Sequence, residues 1–232
     1  EYGTVFPNGM VGLVEDLSES LIGKDPRAVE KLYFDMYRIT RSIPGGATGH
    51  AIAGIELALW DVKAKALGVP VYELVGGPFR DKQMVYFSHL ASYRATSAEL
   101  LGKKPLRTMQ DVADCASEAA EMGYKAFKTN IVFPGNPSSS ISQGRDGRAH
   151  DQTAPRELIQ NAVSQISAMR DAVGPDIGIC LDINYNFKTQ GAIAMARALE
   201  PFDLYWLEID NQDPKALLQL KESTTIPITS GE

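Results

Sequence analysis

Three carboxylates recur in phase along the second half of this sequence. Asp182 and Glu208 are 26 residues apart and Glu208 and Glu232 are 24 apart, each interval the length of one strand–helix unit. Each acid sits at the end of a short apolar run: Leu181-Asp182-Ile183-Asn184, Trp206-Leu207-Glu208-Ile209-Asp210 and Thr229-Ser230-Gly231-Glu232. A fourth polar run end, Phe127-Lys128-Thr129-Asn130, brings a lysine and an amide. Alternation along a strand puts Lys128 with Asn130, Asp182 with Asn184, and Glu208 with Asp210 on common sides. Converging acids repel one another unless a hard cation neutralises them, and an oxygen-only donor set suits Mg²⁺ better than zinc, which recruits His or Cys. One such acid is explained equally well by a helix cap or a solvated loop. Three in phase favour a Mg²⁺ site held by Asp182, Glu208 and Glu232.

The elements that must position these side chains are short apolar runs alternating with helix-length segments, the pattern of βα units and a parallel sheet. Strands are expected at Met84–Leu90, Ala126–Ile131, Ile177–Ile183, Leu204–Glu208 and Ile226–Ser230. Helices are expected between them at about Thr108–Met122, Pro155–Val173, Thr189–Leu199 and Pro214–Glu222, each opening near a Thr, Pro or Asp that can cap or start a first turn. The Pro/Gly/Ser-rich stretch Phe133–Thr153 reads as an insertion, either a lid or a disordered spur. The first third reads as helical: Val14–Leu21, a second helix from Asp25-Pro26 through Tyr37, and a long one over Thr48–Leu67 that Gly68 and Pro70 stop. Asp61 and Lys65 form an i,i+4 pair on its wet side. A complete eightfold barrel takes about 250 residues, so the sequence is expected to stop after the fifth barrel strand.

Composition narrows the partners. The 232 residues are 44% hydrophobic and 22% charged, ordinary values for a folded globular protein. A net charge of −6 with no Lys/Arg cluster argues against nucleic acid. No run reaches membrane-spanning length, and no basic region followed by an apolar stretch marks a secretory signal. Cys115 and Cys180 are too far apart for a disulfide framework and read as buried thiols, which points to the cytoplasm.

The stretch Ala51-Ile52-Ala53-Gly54-Ile55-Glu56-Leu57-Ala58-Leu59-Trp60-Asp61-Val62-Lys63-Ala64-Lys65, continuing through Pro70 to Leu74-Val75-Gly76, resembles the signature helix of the mandelate racemase/muconate lactonizing group of the enolase superfamily. Asp182-x-Asn184, Glu208 and Gly231-Glu232 resemble its metal-ligand series in the correct order. The resemblance implies an α/β fold, with the first five strands of a (β/α)₇β TIM-like barrel over residues 83–232 and part of an α+β capping domain over 1–82. It also implies Mg²⁺ on Asp182, Glu208 and Glu232, a small-molecule carboxylate substrate, and a homo-oligomer. The family's chemistry is removal of the proton beside that carboxylate to give an enediolate, which a side-chain base achieves only if concentrated positive charge meets the developing dianion.

Two departures from the family pattern shape the expected reaction. Racemases and several dehydratases of the group carry Lys-x-Lys on the second barrel strand, the second lysine being the base; here the run is Lys128-Thr129-Asn130. Lys128 can hold the substrate carboxylate or stabilise the intermediate, and Asn130 can donate a hydrogen bond, but an amide takes no proton at neutral pH. Ile209-Asp210 stands where an acid and a proline are typical, leaving Asp210 as an extra polar contact near the metal. Tyr185 is a candidate acid towards a departing hydroxyl. His89 and His50 are candidate pocket neighbours, each equally explained as an interior or cap-adjacent histidine; His150 reads as solvated, and Tyr2 and Phe6 as a capping loop or simple core. The missing second lysine favours dehydration of a sugar acid, because a two-base racemisation tolerates that loss less well. A racemase or epimerase is the alternative, and a non-catalytic protein binding metal and carboxylate is the alternative of another kind.

Overall fold

The computed structural model describes residues 7–141, 153–211 and 213–231. The chain divides into two compact units, residues 1–83 and 84–232. Among its described residues the first unit holds four helices: α1 (Pro7–Glu19), α2 (Val29–Ile39), α3 (Gly46–Leu67) and α4 (Val71–Leu74). Met10, Leu17, Met36, Ala51 and Ile52 bury one small core, and Val29, Leu32 and Leu59 another. Gly68 ends α3 in the left-handed region, φ 71°, where its amide caps Ala64 and Lys65. The Asp61–Lys65 pair forms at 2.6 Å on the exposed side. The second helix begins later than expected, at Val29, and in the turn before it the Asp25 carboxylate accepts from the amide and guanidinium of Arg27.

The second unit contains α5 (Ser92–Ser97), α6 (Met109–Glu121), β1 (Ala126–Asn130), β2 (Val132–Phe133), β3 (Ser139–Ser140), α7 (Arg156–Val173), β4 (Gly178–Asp182), α8 (Thr189–Leu199), β5 (Trp206–Glu208), α9 (Pro214–Ser223) and β6 (Ile228–Thr229). The order β1-β4-β5-β6 forms a parallel sheet, each pair joined by a helical crossover. Strand alternation sends Phe127, Ile179, Leu181 and Leu207, all fully buried, to the helix side. There Val112, Ile166, Met195 and Leu220 of the four long helices meet them in one continuous core. Thr108 and Asp111 open α6 with a reciprocal capping box, and Asp213 caps α9.

The expected strand at Met84–Leu90 forms only a single parallel bridge, Phe87 to Phe127. Its backbone still tracks β1, with Phe87 N donating to Ala126 O and Lys128 N to Phe87 O, but His89 at φ 54° turns the chain out of the extended region. The start of the Phe133–Thr153 stretch is likewise ordered: β2 and β3 pair antiparallel as a hairpin, and Ile141 is buried behind it. Residues 142–152, His150 among them, lie outside the described residues, as do Tyr2, Phe6 and Glu232. Gly191 in the first turn of α8 lies so close to the returning chain that a Cβ there would stand 2.8 Å from Ala154 N. No helix among the described residues is long and apolar enough to cross a membrane.

Candidate metal centre and active site

The face of the sheet away from the helices carries the polar residues. Register places Asn130, Asp182 and Glu208 side by side in one row across β1, β4 and β5, with Lys128, Cys180 and Trp206 in the row beneath. Lys128 is long enough to reach upward: its Nζ donates to Asp182 Oδ2 at 3.1 Å and to Glu208 Oε2 at 2.7 Å. Burial alone would make the ammonium shed its proton more readily. The hydrogen bond to Glu208 and the charges of Asp182 and Glu208 outweigh it, so the Lys128 pKa lies above its usual value.

Asp182 is held by both oxygens. While Oδ2 faces Lys128, Oδ1 accepts from the backbone N (2.8 Å) and the side-chain Nδ2 (3.0 Å) of Asn184. Asn184 makes both bonds because it leaves the strand at φ 52°, a left-handed conformation asparagine tolerates better than most residues, and folds back on its neighbour but one. Asp-x-Asn is thus a local turn as well as a strand-end pair. The backbone N of Asp210 donates to Asn184 O at 3.4 Å, bringing the β5 end alongside.

Asp182, Glu208 and Asp210 form an oxygen cluster, one carboxylate oxygen from each lying within 4.8 Å of the others. Asp182 and Asp210 are buried and Glu208 is half-buried. Three carboxylates against one ammonium leave an excess of negative charge in a largely dry place, and every donor is oxygen, so the residues fit a hard divalent cation. The expected set was Asp182, Glu208 and Glu232. Two of these converge, Glu232 lies outside the described residues, and Asp210, expected only as a neighbouring contact, belongs to the acidic cluster itself.

Asn130 is committed on every polar atom. Its Oδ1 accepts from Ser92 Oγ (2.8 Å), its amide N donates to Ser92 Oγ (2.9 Å), and its Nδ2 donates to Asp182 O (3.1 Å) and Asn184 Oδ1 (3.2 Å). On the opposite side of the strand the fully buried Gln165 of α7 holds Asn130 O (2.9 Å) and Val132 N (2.9 Å). Tyr185 is exposed just beyond Asn184. His89 is half-buried, its ring stacked on Tyr93 at 4.5 Å. His50 is exposed on α3, in the first unit. Beside Glu208 a cavity of about 350 Å³ is lined by Tyr86, Trp206, Thr229, Ser230 and Gly231. The Trp206 indole N–H, buried there, meets no acceptor among the described residues. Neither Ser92 nor Gln165 was singled out from sequence, since each sits on a helix away from the strand ends.

Parallel strands backed by helices, with acids gathered at their carboxyl ends, define an α/β barrel type of protein whose chemistry sits at that mouth. The chain belongs to the enolase superfamily: residues 2–76 match the mandelate racemase/muconate lactonizing enzyme N-terminal domain, and residues 111–232 match the enolase C-terminal domain-like family. Over 95% of its length it is 32% identical to a D-galactonate dehydratase family member of Oceanicola granulosus and 30% identical to a D-mannonate dehydratase of Novosphingobium aromaticivorans, covering 54% of each. The chain thus spans about half the length of the curated relatives it matches. Among solved structures it resembles a candidate L-alanine-DL-glutamate epimerase of Burkholderia xenovorans bound to magnesium and fumarate (TM-score 0.88, 34% identity, 97% of this chain and 56% of that one). It also resembles a candidate dehydratase of Zymomonas mobilis (TM-score 0.84, 30% identity, 98% and 56%).

Proposed function

We propose that the protein of this chain is a lyase that dehydrates a sugar acid, removing the proton beside the carboxylate and expelling the β-hydroxyl. The observation that carries the reading is the convergence of Asp182, Glu208 and Asp210 at the strand ends, with Lys128 bridging the first two. Asp182 and Glu208, with Glu232 as the sequence pattern suggests, would hold Mg²⁺, which when bound supplies the positive charge that makes so weak a carbon acid removable. Lys128 brings a second positive charge to the same place and orients the substrate carboxylate. Asn130 and Asn184 fix Asp182 in direction rather than touching substrate. Tyr185, exposed at the mouth, is the described side chain best suited to protonate the departing hydroxyl. A general base supplied from outside the described residues takes the Cα proton, the electron pair passes into the carboxylate and returns as the β C–O bond breaks, Tyr185 protonates the departing hydroxyl so that water leaves, and the enol product tautomerises to a keto acid. The dehydratase names of the relatives at 30–32% identity support this choice.

The candidate epimerase among the structural neighbours favours a second reading, inversion at the same carbon. Incubating the intact protein with Mg²⁺ and a panel of sugar and hydroxy acids in D₂O separates the two. Dehydration yields a keto acid; epimerisation returns deuterated epimer and no keto acid, which would overturn the proposal. Tight binding with no exchange of the proton would indicate a non-catalytic relative.

A further inference from the structure

We infer that Ser92 is a positioning residue for the candidate metal centre, acting through Asn130 and Asn184 on the Asp182 carboxylate; this rests on the metal reading proposed above. Ser92 is 4% exposed and touches none of the acids. Its hydroxyl is used twice on one partner, donating to Asn130 Oδ1 at 2.8 Å and accepting from Asn130 N at 2.9 Å. That pairing gives the carboxamide oxygen of Asn130 a donor on the Ser92 side, while Asp182 O, an acceptor only, requires the NH₂ to face β4. Asn130 Nδ2 then holds Asn184 Oδ1 and Asp182 O, so the NH₂ of Asn184 is turned to Asp182 Oδ1. Every link has a direction. Reversing the amide of Asn130 would set its oxygen against Asp182 O and Asn184 Oδ1 and deprive the Ser92 hydroxyl of its acceptor, with both bonds to the β4 side lost.

The consequence is that Asp182 offers Oδ2 outward, where Lys128 finds it, while Oδ1 is occupied. A ligand carboxylate whose rotamer is fixed beforehand loses less freedom on taking up a cation, and neighbours of this kind commonly carry a 10- to 100-fold share of metal affinity. The relay begins outside the barrel strands, on α5, and α5 is itself anchored: Arg94 makes a paired contact with Glu118 of α6 at 3.0 and 2.5 Å, and Ser138 donates to Ala95 O.

The test is Mn²⁺ binding to the intact protein, followed by the electron paramagnetic resonance signal of free Mn²⁺, with thermal melting measured alongside. Ser92→Ala is expected to weaken Mn²⁺ about 10-fold. Asn184→Gly keeps the backbone N–H on Asp182 and suits the positive φ, and it is expected to weaken Mn²⁺ by a similar factor. Because both cut one chain, the double variant should weaken binding by less than the product of the two losses. Leu220→Ala, a core truncation on α9, should lower the melting temperature with Mn²⁺ affinity unchanged. Should Ser92→Ala fail to fold, Asn130→Ala takes its place in the cycle. Unchanged affinity in Ser92→Ala, or losses that multiply, would overturn the relay while leaving the metal reading standing. Wild-type protein that binds no Mn²⁺ would remove the metal reading, and the relay with it.

Discussion

Two of the three-membered charge clusters among the described residues are built on inverse plans. At the strand ends one lysine, Lys128, sits between two acids, and its side chain and that of Asp182 are 10% and 2% exposed. In the first unit one acid, the half-buried Asp35, sits between two exposed lysines, Lys24 at 3.0 Å and Lys31 at 2.7 Å. The distances are alike and the consequences differ. Water around Asp35 solvates each charge whether or not the bonds form, so the cluster contributes little to stability. Around Lys128 solvent is largely excluded, so removing one partner strands the others in a poor dielectric. Burial turns an ordinary arrangement of charges into a costly one.

Lys128→Met should show the largest effect. In a chelator Asp182 and Glu208 would face each other without a counter-charge, and urea unfolding should report a loss of about 3 kcal/mol or more. Adding Mg²⁺ should recover much of that loss, and a loss indifferent to Mg²⁺ would break the comparison. Gln165→Leu comes next, since it leaves Val132 N–H and Asn130 C=O buried without their amide partner. It should cost about 2 kcal/mol by the same measurement, with no response to Mg²⁺. Asp35→Asn should leave the urea midpoint unchanged within error. The finest test is titration of Asp35 by carboxyl NMR. The hydrogen bonds from Lys31 and then Lys24 lower its pKa from 3.8 to about 2, so whatever it contributes is present above about pH 4 and lost as the pH falls through 2. In roughly 1 M salt the midpoint should climb back towards 3.8, because exposed charges are screened.

What could be read from sequence followed what is periodic. Asp182 and Glu208 announced themselves by a spacing of one βα unit. The four long helices of the second unit were visible because Thr108, Pro155, Thr189 and Pro214 mark their starts and apolar residues repeat along them. The parallel sheet followed from the same alternation. The strand at Met84–Leu90 was over-read, since an apolar run cannot reveal that His89 turns it aside at φ 54°. The six-residue α5 is too short to show a period, and so the environment of Ser92 was hidden. The β2–β3 hairpin was obscured by its Pro, Gly and Ser content. Asp210 was placed near the metal but outside the acidic cluster; backbone contact between its amide and Asn184 O brings it in, and no one-strand pattern encodes that.

Gly191 fixes where the chain lands on its return to α7, by the absence of a side chain that would collide with Ala154. The landing point is therefore set by the helix it meets. A residue with a side chain at 191 would push Thr153 and Ala154 off this bare patch of α8, and with them the start of α7.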